Sequence, residues 1–283
     1  MPTFSIGFPC QVVTSRVLPS FSSVLSAAIK EDAEIIIGVQ DVANSDPRVI
    51  EFLSEQPITQ LISTNNCSSL SCNLNHIISK CKGRYFIRTD DDDFMHPSRI
   101  SNLNQIIRGG IDFAILGQGY KCFEGKRLSS MVIPASNSID NKIKLLLGVP
   151  FCHPAITIDL SKVGKSPYDI NQKYAQDYML YITKIKSGKF LGVNHIGTYY
   201  RSPSSTTYLQ MEKRRRQLED HERAMKILWN QIFPRKITDE EIHSLRSTLV
   251  TSEFSNIRSD NRAWCINMLE EGIKHLIQHV REP

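Results

Sequence analysis

Tyr85-Phe86-Ile87-Arg88-Thr89-Asp90-Asp91-Asp92-Asp93-Phe94 runs a short apolar segment straight into four consecutive carboxylates. Tyr85–Thr89 has the length and composition of a buried strand, so the acidic run follows a strand's carboxyl end. Four adjacent carboxylates repel one another in a folded chain, and their pKa values rise unless a cation lies among them. Magnesium or manganese is the simplest remedy, because either ion takes one or two protein carboxylates and completes its shell with water and phosphate oxygens. Asp90 and Asp92 suit that role. An acidic surface turn capping the next helix is the plainer alternative. Other acidic motifs fit worse: an EF-hand loop needs a Gly and a Glu at set distances, and a D-x-D-x-[T/V] pattern meets Phe94 at its fifth position.

Outward from this strand, apolar runs at Thr3–Phe8, Glu34–Val39, Gln60–Ser63 and Asp112–Leu116 have strand length, and helical stretches Phe21–Lys30, Arg48–Glu55 and Leu70–Lys80 separate several of them. That order predicts βαβ units and an α/β fold with a mostly parallel, Rossmann-like central sheet flanked by helices. Ligands of such sheets bind beyond the carboxyl ends of the strands, so the residues after Phe8, Val39 and Thr89 are the place to look for chemistry. Asp41, after the second strand, could accept hydrogen bonds from a base or ribose, although taken alone it is more often a turn residue. His153, in Pro150-Phe151-Cys152-His153-Pro154-Ala155-Ile156-Thr157-Ile158, opens a strand-like run, where a packed structural histidine is the commoner reading. Asp177 begins a helix; capping is the usual reason for a carboxylate there, and a fixed general base is the functional one.

The pattern changes after Tyr208. Leu218, His221, Met225, Leu228 and Ile232, and later Ile266, Leu269, Ile273, Leu276, Ile277 and Val280, recur at helical spacing. Thr238 with Glu241 forms a capping box ahead of Ile242, and Pro234 marks the break before it. The expected division is therefore 1–207 for the α/β domain and 208–283 for a C-terminal helical extension. Lys213-Arg214-Arg215-Arg216 reads first as a solvated helix face, with a contact to a partner or to the inner membrane surface as the alternative.

The 283 residues carry 34 Lys+Arg against 29 Asp+Glu, a net charge of +5, which is too mild to call for nucleic acid but compatible with phosphate-bearing ligands. The 41% hydrophobic and 22% charged fractions belong to a globular protein, not to a disordered or collagen-like chain. The N-terminus lacks the basic and apolar regions of a secretory signal. Seven cysteines without a C-x-x-C pair argue against both a disulfide framework and a thiolate zinc site, and point to a reducing, cytoplasmic location.

The order of these motifs resembles the inverting GT-A glycosyltransferases of family 2, bacterial enzymes that build surface polysaccharides. The resemblance runs from Pro2 to about Tyr208 and rests on Ser71-Cys72-Asn73-Leu74-Asn75-His76-Ile77-Ile78, Gly83-Arg84-Tyr85-Phe86-Ile87, Asp90-Asp91-Asp92-Asp93, His96-Pro97-Ser98-Arg99-Ile100, Phe151-Cys152-His153-Pro154, Gln176-Asp177 and His195-Ile196-Gly197-Thr198-Tyr199-Tyr200-Arg201. It implies a GT-A fold and transfer of a sugar from a nucleotide-sugar, a UDP-sugar first, to a hydroxyl of a glycan or lipid-linked glycan acceptor such as lipopolysaccharide, O-antigen or capsule. It also implies nucleotide-sugar contacts by Pro9, Cys10, Gln11, Asp41, Asn75, Asp90, Asp91 and Asp92, and a manganese or magnesium ion on Asp90 and Asp92. Asp177 is the implied base, Asp93, His153, Gln176 and Arg201 lie toward sugar or acceptor, and a loop over Tyr200–Thr207 closes the site. His153 and His195 are the candidates for a third metal ligand. Departures are equally specific: Leu74 stands where many members carry a basic residue, and Gln176 replaces the usual Glu. Association with the cytoplasmic face of the membrane and homodimerisation both fit the helical extension. Two other classes stay open, a sugar-phosphate nucleotidyltransferase and a non-catalytic GT-A-like scaffold. The first would normally show a Gly-rich basic loop after its first strand, and Phe8-Pro9-Cys10-Gln11 is not one.

Overall fold

The computed structural model describes residues 2–202, 208–249 and 259–281. Among the described residues nine strands, β1 (Phe4–Cys10), β2 (Ala33–Val39), β3 (Thr59–Ser63), β4 (Tyr85–Arg88), β5 (Phe94–Met95), β6 (Ile115–Glu124), β7 (Arg127–Leu128), β8 (Ile156–Asp159) and β9 (Phe190–Arg201), form one sheet. Its order is β3-β2-β1-β4-β8-β6-β9-β5, with β7 hairpinned onto β6. β3, β2, β1 and β4 are parallel neighbours; β8 runs antiparallel to both β4 and β6, which leaves β6 and β9 running with β4. The sheet is mostly parallel, as predicted, with β8, β5 and β7 running against the common direction.

The helices are α1 (Leu18–Ala28), α2 (Pro47–Ser54), α3 (Leu70–Lys80), α4 (Arg99–Arg108), α5 (Ser138–Lys144), α6 (Leu160–Val163), α7 (Gln176–Thr183), α8 (Tyr208–Ile232), α9 (Asp239–Leu249) and α10 (Ser259–Arg281). Phe4, Ile6 and Phe8 of β1 pack with Phe21 and Val24 of α1 on one side of the sheet, while Phe86 and Ile36 pack with Leu74 and Ile77 of α3 on the other. Burial on both sides explains why β1 and β2 read as continuous apolar runs rather than as alternating ones.

The short strands lie close to the predicted spans, and α3 matches Leu70–Lys80. β6 is the miss: a strand predicted over 112–116 runs over Ile115–Glu124. Gly117, Gln118 and Gly119 interrupt the apolar run, yet the strand continues because it pairs with β9 along its length and because Gly117 makes room for the Phe151 ring, which a Cβ would meet at 2.1 Å.

The C-terminal helices share the core of the α3 side. Ala224, Met225, Leu228, Trp229 and Ile232 of α8 are buried, and the Trp229 indole N–H donates to the Leu146 carbonyl at 2.9 Å. The predicted capping box is present: Thr238 Oγ1 accepts from the Glu241 amide at 3.2 Å, and Glu241 accepts from the Thr238 amide at 2.9 Å. Of the residues that recur at helical spacing, Leu218 and Ile266 are exposed. On α10 the buried face is Cys265, Met268, Gly272 and Leu276, and a Cβ on Gly272 would lie 2.7 Å from the Trp229 ring. In the basic run, Arg215 and Arg216 each reach Glu212 at 3.0 Å, the pairing of a solvated helix face. Among the described residues no helix is long and apolar enough to cross a membrane.

The cysteine expectation is also corrected. Cys67 and Cys72 are joined in a disulfide, their Cα atoms 5.3 Å apart. Spacing alone hid the pair, because the chain folds back between them: the Cys67 amide bonds the Thr64 carbonyl at 2.8 Å, and Ser69 caps α3 through the Cys72 amide.

Candidate active site

The acidic turn is built at the point where β4 leaves the sheet. Thr89 holds the Gly7 carbonyl through its amide at 3.3 Å and its hydroxyl at 2.8 Å, after which β4 no longer pairs with β1. Ser20 of α1 donates to the carbonyls of Asp90, at 3.1 Å, and Asp93, which fixes the turn from below. The separation of β1 from β4 also explains Pro9: its backbone faces the vacated side of the strand, so the missing N–H forfeits no ladder bond.

Within the turn each carboxylate has its own surroundings. Asp90 takes a 2.7 Å ion pair from the Arg88 guanidinium, which is itself buried. Asp93 is buried; its Oδ1 accepts from the Arg201 amide at 2.7 Å, and its Oδ2 has no partner. Burial, followed by repulsion from Asp90, pushes the Asp93 carboxyl up to about 8. Burial and then the charges of Asp90 and Asp92 push Asp91 up to about 6, and Asp92 rises for the same reasons, desolvation first. Arg201 closes the turn from β9: its Nε donates to the Asp92 carbonyl at 3.0 Å, and its guanidinium lies 4.7 Å from the Phe123 ring centre.

These carboxylates suit a divalent cation. Three of them are held at raised pKa by burial and mutual repulsion, and a buried oxygen of Asp93 is unpaired; both penalties would fall with a cation nearby. Among the described residues no third Cys, His or carboxylate gathers with Asp90 and Asp92. His195 is exposed on β9, and His153 Nε2 is engaged with the Tyr168 hydroxyl at 2.8 Å, so neither predicted third ligand joins the pair.

A cleft of about 880 Å³ opens beside the turn, lined by Arg88, Asp90, Tyr120, Cys152, His153, Gln176, Asp177 and Tyr200. Asp177 sits in the first turn of α7, launched by Ala175 in a left-handed conformation at φ 52°. Its Oδ1 accepts from the Tyr178 amide at 2.8 Å. Burial raises its carboxyl, against the opposing pull of His221, whose own imidazole is driven down by the same burial. His153 is pushed well below its ordinary range by burial and then by Arg88, and is neutral.

Sequence reasoning brought Asp90, His153, Gln176 and Asp177 to one cleft, with Asp91, Asp92, Asp93 and Arg201 on the adjoining turn. Asp41 and Gln11 meet at the neighbouring strand ends, where the Asp41 amide donates to the Gln11 carbonyl at 2.8 Å and the Asp41 carboxylate accepts from Asn44. Pro9 and Cys10 are buried residues at the end of β1, and of the predicted group Pro9–Gln11 only Gln11 is exposed. Cys10 lies against Asp91, and burial followed by that charge drives its thiol pKa well up. Asn75 does not line the cleft; its amide group holds the Tyr168 backbone at 2.8 and 3.1 Å. The proposed closing loop falls largely on 203–207, outside the described residues. Sequence reasoning missed the wall supplied by Gln217, Leu218 and His221 of α8 and Arg246 of α9. His221 occupies a position in an apolar helical stripe, so it read as core.

Residues 5–159 match the family described as Glycosyl transferase family 2. No curated protein matches the sequence. Among solved structures, Staphylococcus aureus TarS 1–349 superposes with a TM-score of 0.65 at 13% identity, covering 99% of this chain and 82% of that one. The same protein in complex with UDP-GlcNAc gives 0.63 at 13% identity, with 99% and 83% covered. Mannosyltransferase PcManGT from Pyrobaculum calidifontis, in complex with GDP-Man and Mn2+, gives 0.59 at 10% identity, with 99% and 87% covered. With over half its length in the family match and a sheet of GT-A type, the chain belongs to glycosyl transferase family 2.

Proposed function

We propose that this glycosyltransferase moves a sugar from a UDP-sugar to a hydroxyl of a growing cell-surface glycan, with inversion at the anomeric carbon. The observation that carries the reading is that Asp90, at the end of β4, and Asp177, at the start of α7, line one cleft. The structural likeness to proteins bound to UDP-GlcNAc and to GDP-Man supports a nucleotide-sugar there. A divalent cation held by Asp90 and Asp92 would stabilise the negative charge of the departing diphosphate.

The chain's own residues supply the rest. Arg88 holds the Asp90 carboxylate in one orientation, and Arg201 with Asp93 locks the turn that carries Asp92. Asp41 and Gln11 bound the strand ends where the nucleoside would lie, and His153, neutral and held by Tyr168, borders the sugar. Asp177 takes the proton of the attacking hydroxyl; burial raises its basicity and keeps competing water away. The acceptor enters past α8 and α9, which makes 208–283 a part of the acceptor site appended to the 1–207 catalytic domain. Lipopolysaccharide, O-antigen and capsule are the acceptor classes in view.

The test is product analysis. With manganese, a UDP-sugar and a lipid-linked glycan acceptor, the protein should release UDP and yield a product of inverted anomeric configuration by NMR. A retained configuration, or release of pyrophosphate from a nucleoside triphosphate and a sugar phosphate, would overturn the reading.

A further inference from the structure

Among the described residues one group of soft ligands comes together: Cys67, Cys72 and His76, whose ligand atoms all lie within 4.8 Å of one another. Local structure places them. Cys72 and His76 are one turn apart on α3 and share a face. The turn that bonds the Cys67 amide to Thr64 brings Cys67 back over that face, and the Gln40 side chain pins it by donating to the carbonyls of Cys67 at 2.9 Å and Ser69 at 3.4 Å. His76 Nδ1 then lies 3.3 Å from Cys67 Sγ and 3.8 Å from Cys72 Sγ. Cys67 is buried, Cys72 is half-buried and His76 is exposed, so the cluster is open to solvent on one side.

The same nitrogen lies 3.3 Å from the Cys72 carbonyl, so the imidazole sits over both sulfurs at the start of α3. Four residues between the cysteines fall within the Cys-x2–4-Cys spacing of zinc sites, and the i, i+4 placement of Cys72 and His76 puts both side chains on one helix face. We propose that Cys67, Cys72 and His76 form a site for one thiophilic divalent cation of the zinc type, with the disulfide as its oxidised, metal-free form. The step balances with a dithiol as reductant. It delivers two electrons and two protons to the sulfur–sulfur bond and becomes a disulfide itself, and each cysteine thiol then releases its proton to water as the cation binds. Two thiolates and an imidazole favour zinc or cobalt, whereas the carboxylates of the acidic turn suit magnesium or manganese, so the two sites select different ions. The fourth position faces solvent.

Cobalt(II) titration of the full chain, reduced with a phosphine, tests this. Thiolate-to-cobalt charge-transfer absorption should grow to one equivalent and vanish when zinc is added, while the unreduced protein should show none. Cys67→Ser and Cys72→Ser should abolish the band, and His76→Ala, an exposed position that leaves the core untouched, should weaken binding roughly tenfold or more. Absence of the band from the reduced protein would overturn the proposal. So would a band that is unchanged in Cys72→Ser or in His76→Ala.

Discussion

Asp177 owes its proposed reactivity to burial. A carboxylate at the start of a helix would ordinarily be stabilised by the helix terminus, yet here desolvation outweighs the Tyr178 amide and His221, and the net displacement is upward. Asp177→Asn keeps the shape and removes the base. It should lower kcat by about 10²–10⁴-fold and leave the donor KM within a factor of a few. The acidic limb of the wild-type kcat/KM profile should lie above the ordinary carboxylate value of 3.8, because only the ionised form accepts the proton. Unreduced turnover in the variant would remove Asp177 from the role. At this scale the sequence was only partly legible. Asp90, Asp92 and Asp177 stand out by charge and position, but the engagement of Asn75 with Tyr168, 93 residues away, is a tertiary fact with no local mark.

Among the elements, the capping box of α9 offers the cleanest check. Thr238 is the N-cap, and its hydroxyl satisfies the Glu241 amide, while Arg235 grips the Glu241 carboxylate at 2.7 Å from outside the box. Thr238→Ala should cost about 1 kcal/mol and lower Tm by roughly 2 °C in thermal unfolding. No change in Tm would mean that α9 is held by packing alone. Elements with a strong local signature were readable: α3 follows its apolar spacing and Ser69 cap, and β1, β2 and β4 follow their apolar runs. β6 was not, because Gly117 and Gly119 serve Phe151 and Met131, residues remote in sequence, and the strand is sustained by β9. β8 read as a strand, but its reversed direction depends on which neighbours it joins and leaves no local trace.

For the whole molecule, the acidic turn makes stability depend on pH and on metal. In the folded chain Asp93 and Asp91 hold protons, up to about 8 and about 6, that the unfolded chain has already lost, so they favour folding at low pH and disfavour it as pH rises toward 8. His96, His153 and His221 act oppositely: burial keeps them neutral, so the unfolded chain binds more protons near 6.5 and stability rises through that region. The two trends oppose each other in the metal-free protein. The change in Tm caused by manganese separates them, because the cation competes with protons on the carboxylates and leaves the histidine contribution common to both measurements. That change should grow from pH 6 to pH 8 in differential scanning fluorimetry; a shift independent of pH would exclude the acidic turn as the metal site.

The architecture also joins the two parts of the chain. The same core holds Trp229 of α8 and Leu146 after α5, and the same cleft holds Asp177 of α7 and His221 of α8. The heptad-like spacing of α8 made its helix predictable, but its contribution to the cleft follows from where α8 lies against α7.

A metal-dependent nucleotide-sugar site at the end of β4 can be read out by calorimetric titration of the purified chain with UDP, with and without manganese. Binding of UDP should strengthen at least tenfold with manganese, and that gain should be lost in Asp92→Ala. Binding that is indifferent to the metal, or equal in Asp92→Ala and the wild type, would contradict it.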